Sequence, residues 1–80
     1  MKIRNDLAIS ETGFVFDPIT GESFSLNQIG SEIFNLYKDD KTQGEIKRII
    51  LEKYDVSNNE LDKSLSDFEG MLKENHFIQE

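Results

Sequence analysis

Acid–base and metal chemistry would need positioned imidazoles, thiolates or paired carboxylates, and this 80-residue chain offers few. His76 is the sole histidine and there is no cysteine. A metal ion needs two or three convergent ligands, and neither an H-x-x-x-H spacing nor a Cys pair is present to supply them. The plain reading of His76 is a surface side chain near a helix end. Asp39-Asp40 places two carboxylates side by side in a polar loop, which reads as solvated turn rather than as an acid–base pair. The seven serines have no histidine that the sequence can assign to them. Neither G-x-G-x-x-G nor G-x-x-x-x-G-K occurs, so no phosphate cradle is indicated. No catalytic residue, metal or cofactor is therefore expected, and an enzyme is not expected.

What remains is binding, and composition limits the partner. Nine Lys and Arg stand against sixteen Asp and Glu, for a net charge of −7. Residues 27–54 are balanced, whereas residues 55–80 carry two basic and seven acidic side chains. Nucleic acid and anionic membrane surfaces are bound through Lys and Arg, so neither is expected as a partner. Leu, Ile, Val and Phe make up 24 of the 80 residues, above the ~20% below which chains tend to disorder. One small folded domain spanning residues 1–80 is expected, with no apolar run of membrane length and no signal-peptide core in Met1 to Ser10. The absence of cysteine fits a reducing compartment, and a cytoplasmic location is expected.

The elements that must carry any binding surface follow from a change of period. Up to Leu26 the apolar residues alternate. Ile3, Leu7 and Ile9 share one parity, Phe14 and Phe16 flank Val15, and Phe24 and Leu26 are interleaved with Ser23 and Ser25. Glu11-Thr12-Gly13 and Asp17-Pro18-Ile19-Thr20-Gly21 supply turns. Three strands in an antiparallel meander result, with the first and third at the edges. After Leu26 the period becomes helical. Asn27 caps a helix with Ile29, Ile33, Leu36 and Tyr37 inward. Thr42 to Glu45 has capping-box spacing ahead of Ile46, Ile49, Ile50 and Tyr54. Ser57 to Glu60 repeats that spacing ahead of Leu61, Leu65, Phe68 and Leu72. Asn75 is expected to end the last helix in a left-handed conformation, and Phe77 and Ile78 to fold back on the core. The order is β-β-β-α-α-α, and one face of the sheet must pack on the helices.

The third strand, Glu22-Ser23-Phe24-Ser25-Leu26, contains no Lys or Pro to block its edge, and its outward residues are serines. Such an edge can accept an extended peptide as a further strand, or it can be merely short and harmless. On the third helix, the core stripe leaves one flank of Glu60, Ser64, Asp67 and Met71, and another of Asp62, Ser66, Glu69 and Lys73. Met71 either makes the first flank the wall of a groove beside the third strand or simply widens the core stripe. Gly70, inside that helix, is either a tolerated weak spot or a point of close approach.

These residues resemble the PqqD family. Gly21 to Leu36 is similar to its central signature, a glycine turn followed by aromatic-x-Leu-Asn and x-x-Gly-x-x-Ile-x-x-Leu, met here by Phe24, Leu26, Asn27, Gly30, Ile33 and Leu36. Thr42, Glu45 and Ile46, then Tyr54-Asp55-Val56, match a second motif, and Lys63 to Ile78 is similar to the closing one. The likeness covers about residues 6–78. The family often has Asp-Gly where this chain has Asp39-Asp40, and Gly-Leu-Ile where it has His76-Phe77-Ile78.

The resemblance implies an α+β, winged helix-turn-helix-like fold and a non-catalytic role. Members hold the leader of a ribosomally synthesised precursor peptide as a strand added to the third strand, against the third helix. They present it to a modifying enzyme, a radical SAM protein or a leader protease. Carried over by position, the peptide contacts are Glu22, Ser23, Phe24, Ser25 and Leu26 on the strand and Ser64, Asp67, Phe68 and Met71 on the helix. The acidic last third suggests Lys or Arg in the leader. The alternatives are an adaptor that binds an enzyme without a leader and a winged-helix DNA-binding domain. The latter needs a basic recognition helix, and residues 57–75 carry five acidic side chains against two lysines.

Overall fold

The computed structural model describes residues 2–79. Five short strands and three helices follow one another: β1 (Lys2–Ile3), β2 (Ala8–Ile9), β3 (Phe14–Phe16), β4 (Ser23–Ser25), α1 (Gln28–Lys38), α2 (Gln43–Lys53), α3 (Asn58–Glu74) and β5 (Ile78–Gln79). The sheet β2-β3-β4 is an antiparallel meander ahead of three helices, the α+β, winged helix-turn-helix-like order expected from the sequence. The expected first strand is in fact two. The chain leaves the extended path between Ile3 and Ala8, and β1 pairs with β5 instead, Ile3 opposite Ile78. The expected return of the tail is thus a strand pair, with Phe77 buried beneath it.

The core lies between the sheet and the helices. Ile3, Leu7 and Val15 meet Ile33, Phe34 and Tyr37 of α1, Ile46 and Ile50 of α2, and Leu61, Leu65 and Leu72 of α3. Val15 is the inward residue of β3, so Phe14 and Phe16 stand outward at 54% and 45% exposure. Phe34, which the helical stripe of the sequence omits, is fully buried and meets Phe68 edge-on, with ring centres 6.4 Å apart.

Helix boundaries follow their caps. The side-chain oxygens of Asn27, Thr42 and Ser57 accept from the N–H groups of Gly30, Glu45 and Glu60. Both α1 and α3 end with paired backbone bonds that reverse the chain. Asp40 N–H donates to the Tyr37 carbonyl and Lys41 N–H to that of Leu36. His76 N–H donates to the Lys73 carbonyl and Phe77 N–H to that of Leu72. The residue after each cap is left-handed, Asp40 at φ 64° and His76 at φ 57°, the position that glycine fills most easily. The left-handed residue is therefore His76 and not Asn75. Asn75 has φ −92° and donates its side-chain N–H to the Met71 carbonyl. Asp40 and His76 occupy the two glycine positions at which this chain departs from the family pattern.

An ionic clip unseen in the sequence ties the N-terminal segment to the β3–β4 turn and to the end of α3. Arg4 donates to Asp17 (3.0 Å), to Asp6 (2.8 Å) and to the His76 carbonyl (3.1 Å). Asp17 is buried at the head of the β3–β4 turn, where it also accepts from the Ile19 N–H (2.9 Å). Hydrogen bonding from Arg4, more than any other cause, holds the Asp17 and Asp6 carboxyls below their usual range. A depressed carboxyl stabilises the fold above the unfolded-state value of ~4 and loses that contribution as pH falls through the folded value. The urea midpoint is expected to be level from neutral pH to about 5 and to fall below about 4. Asp17→Asn should flatten that acid limb more than Asp6→Asn, since Asp17 is buried and Asp6 exposed. An acid limb as steep as wild type in both variants would show that the clip does not govern acid stability.

Gly70 is exposed, and a Cβ there would touch nothing within 4 Å. Gly70→Ala is expected to stabilise the domain by about 1 kcal/mol, raising Tm by ~4–8 °C for a chain of this size. A calorimetric Tm unchanged or lower would mean that the helix backbone at Gly70 is under another constraint.

Candidate peptide-binding edge and cleft

The pairing register of β3 and β4 decides which backbone groups β4 leaves open. Phe14 faces Ser25, Val15 faces Phe24 and Phe16 faces Ser23. Leu26 N–H donates to the Gly13 carbonyl (2.8 Å) and Asp17 N–H to the Glu22 carbonyl (2.9 Å), which marks both as hydrogen-bonded pairs. Such pairs alternate along an antiparallel ladder, so Glu22, Phe24 and Leu26 direct their backbone groups at β3. Ser23 and Ser25 direct theirs the other way. β4 is the end of the sheet, so both serines present N–H and C=O to the open edge. The alternation of the sequence leaves this phase open, and the register turns the backbone groups of both serines to the edge. Their side chains are exposed on the outer face beside Phe14 and Phe16, while Phe24 lies on the inner face against Phe77, edge-on with ring centres 5.3 Å apart.

The other half of the expected site is a cleft between α3 and the start of α1, with a volume of about 410 Å³. Its α3 wall is Ser64, Asp67, Phe68 and Met71, and its α1 wall is Asn27, Ile29, Gly30 and Ile33. The structure thus brings together all four helix residues picked out by the sequence. The five strand residues Glu22 to Leu26 do not line the cleft. They lead into it through Asn27, the next residue, whose side chain caps α1 by accepting from Gly30 N–H at 2.7 Å. The α1 wall was missed by the sequence reading, although the helical stripe holds Ile29 and Ile33 and the family-like signature holds Asn27 and Gly30.

The Phe68 part of the wall is backed by an aromatic stack and a hydrogen bond. Phe68 stacks on Tyr37 with ring centres 6.1 Å apart and planes 7° from parallel. Tyr37 is buried and donates its hydroxyl to Glu69 Oε1 (3.2 Å). Burial first, and the Glu69 carboxylate second, push the Tyr37 phenol far above its usual range, so it stays a neutral donor at physiological pH. Across the helices, Tyr54 donates to Glu32 (3.1 Å) and Lys53 pairs with the other Glu32 oxygen (3.0 Å), fixing the end of α2 to α1. Among the described residues, no group of His, Cys, Asp and Glu could hold a metal ion, and no helix is long and apolar enough to cross a membrane.

An open β edge thus runs into a cleft on a meander backed by three helices, and such an edge can accept a further strand. A family model for coenzyme PQQ synthesis protein D (PqqD) matches residues 13–78, and the chain belongs to that family. Among solved structures, TbiB1 in complex with the TbiA(beta) leader peptide is similar, with 27% identity and a TM-score of 0.85 over 99% of this chain and 95% of that one. Comparison with curated proteins gives no significant match.

Proposed function

We propose that this chain captures the leader of a ribosomally synthesised, post-translationally modified precursor peptide. The leader is added as a strand along β4 and is presented to a modifying enzyme of the radical SAM type or to a leader protease. Ser23 and Ser25 supply the backbone groups that pair with the added strand. Ser64, Asp67, Phe68 and Met71 supply the side-chain wall that selects it. Main-chain bonds then give affinity, and the cleft gives register and specificity. The observation that carries this reading is the outward direction of the Ser23 and Ser25 backbone groups at an edge that runs into the cleft. Membership of the PqqD family and similarity to a protein solved with a leader peptide support it.

The test is an amide NMR titration with the short precursor peptide encoded nearest this gene. Saturable shifts confined to residues 22–26 and 60–72 are expected, with protection of the Ser23 and Ser25 amides from exchange. A peptide that leaves both segments unmoved, while the neighbouring enzyme binds elsewhere on the domain, would make this an adaptor instead.

A further inference from the structure

Among the charged side chains of α3, Asp67 is set apart by where it lies. Among the described residues it is the one ionisable group that lines the cleft, beside Ser64 and the apolar surfaces of Phe68 and Met71. It takes part in none of the ion pairs formed among the described residues, in contrast to Asp62, which pairs with Lys47. A cleft with an apolar floor and one carboxylate at its wall complements a particular side-chain shape, a long aliphatic stem ending in a cation. Asp67 is solvent-exposed, so a purely apolar side chain would gain nothing from its carboxylate, and an acidic one would meet like charge.

The strand register says where on a bound peptide this side chain must sit. Directly opposed residues of an antiparallel pair project to the same face of a sheet. Peptide residues opposite Ser23 and Ser25 therefore point outward, to the face of Phe14 and Phe16. Those opposite Phe24 and Leu26 point inward, to the helix side, and the position opposite Leu26 lies nearest Asn27 and the mouth of the cleft. We infer that Asp67 makes this cleft a receptor for a Lys or Arg side chain at one inward position of the added strand. The stem lies on Phe68 and Met71, and apolar residues occupy the other inward positions. The inference rests on the strand-addition reading and adds to it the chemical class of leader that this chain selects.

The test uses a phage-displayed library of random dodecapeptides selected on the intact domain, on Asp67→Asn and on Asp67→Lys. Wild type is expected to enrich peptides with Lys or Arg at one fixed position, by about five- to tenfold over Asp or Glu there, the scale of a partly exposed ion pair gained against a like charge met. Asp67→Asn should lose that preference and keep the apolar positions two residues away. Asp67→Lys should prefer Asp or Glu at the same position. The wild-type preference should weaken as salt is raised, since the pair is partly exposed. Ser23→Pro and Ser25→Pro are run on the enriched peptides. Peptides that depend on both serines but show no basic preference, or keep it undiminished in Asp67→Asn, overturn the role of Asp67 and leave strand addition standing. Peptides indifferent to both prolines, or no enrichment at all, overturn strand addition and the inference with it.

Discussion

Gly13→Ala is expected to destabilise this domain by about 3 kcal/mol, a large share of the ~4–12 kcal/mol that a chain of this length commonly has. Two costs combine. Gly13 has φ +91°, a conformation in which a side chain costs ~1–2 kcal/mol. It closes the β2–β3 turn, in which Gly13 N–H donates to the Ser10 carbonyl and Ser10 N–H to that of Phe14. The second cost is steric. A Cβ on Gly13 would lie 2.5 Å from the Leu26 carbonyl oxygen and 2.7 Å from the Ser31 hydroxyl. The hydroxyl can rotate, but the carbonyl is backbone, so the β3–β4 ladder must move and the bond from Leu26 N–H to the Gly13 carbonyl is strained. A fall in Tm of roughly 15 °C follows from the usual scaling for a domain of this size. Gly21→Ala is the control. Gly21 is also left-handed, at φ +77°, but nothing lies within 4 Å of a Cβ there, so only the conformational cost of about 1 kcal/mol should appear. Thermal unfolding in which Gly13→Ala costs no more than Gly21→Ala would show that the turn does not pack closely against Leu26.

The contrast between these glycines shows what a sequence discloses and what it withholds. Both read as turn residues, because Asp, Pro, Thr and Gly in those orders encode local backbone geometry. The close approach of Gly13 to Leu26 is a contact between strands, and no local pattern specifies it. The same division holds elsewhere. The three caps at Asn27, Thr42 and Ser57 were legible, since each is a bond to a backbone N–H three residues ahead. The Arg4 clip joins residues 13 and 72 positions apart and was not. The split of the first strand was hidden because Ile3 and Ile9 keep the parity of one strand while lying in two. The burial of Phe34 was hidden because the core wraps around α1 more widely than a single stripe.

The candidate site was legible to a similar degree. Helical spacing placed Ser64, Asp67 and Met71, with Glu60, on one flank of α3 beside a core stripe that includes Phe68, and of these Ser64, Asp67, Phe68 and Met71 wall a cleft. The opposite wall depends on how α1 crosses α3, which is tertiary packing, so Asn27 entered the sequence reading as a cap and Gly30 as a residue of the family-like signature, neither as part of a wall. Period two placed the serines outward, but which backbone groups face the open edge depends on the hydrogen-bonding phase of β3 and β4. That phase is fixed by the Gly13–Leu26 and Asp17–Glu22 pairs at the two turns.

Because of that phase, Ser23→Pro and Ser25→Pro are each expected to weaken leader capture at least tenfold while the domain stays folded. Proline removes the backbone donor and puts a ring where the incoming strand must lie, and it is tolerated on an edge when the lost N–H faces outward. Each substitution forfeits a hydrogen bond of about 1 kcal/mol and adds a steric obstruction, so a tenfold change, equivalent to about 1.4 kcal/mol, is a lower limit. Neither position donates to β3, so the ladder pairs at Glu22, Phe24 and Leu26 survive. Phe24→Pro is the opposite case. It deletes the ladder donor opposite Val15 and the ring that meets Phe77, and it should unfold the sheet rather than spare it. The measurement is the Kd of the labelled precursor peptide by fluorescence anisotropy, paired with the far-ultraviolet circular dichroism melt of each variant. Wild-type affinity in both serine variants would mean that the peptide is held by the cleft alone. Loss of affinity at one serine only would mean that the added strand is too short or too slanted to span both. A tenfold or greater loss at each, with melts intact, is the outcome expected of a strand that pairs along the whole of β4 before its side chains reach Asp67.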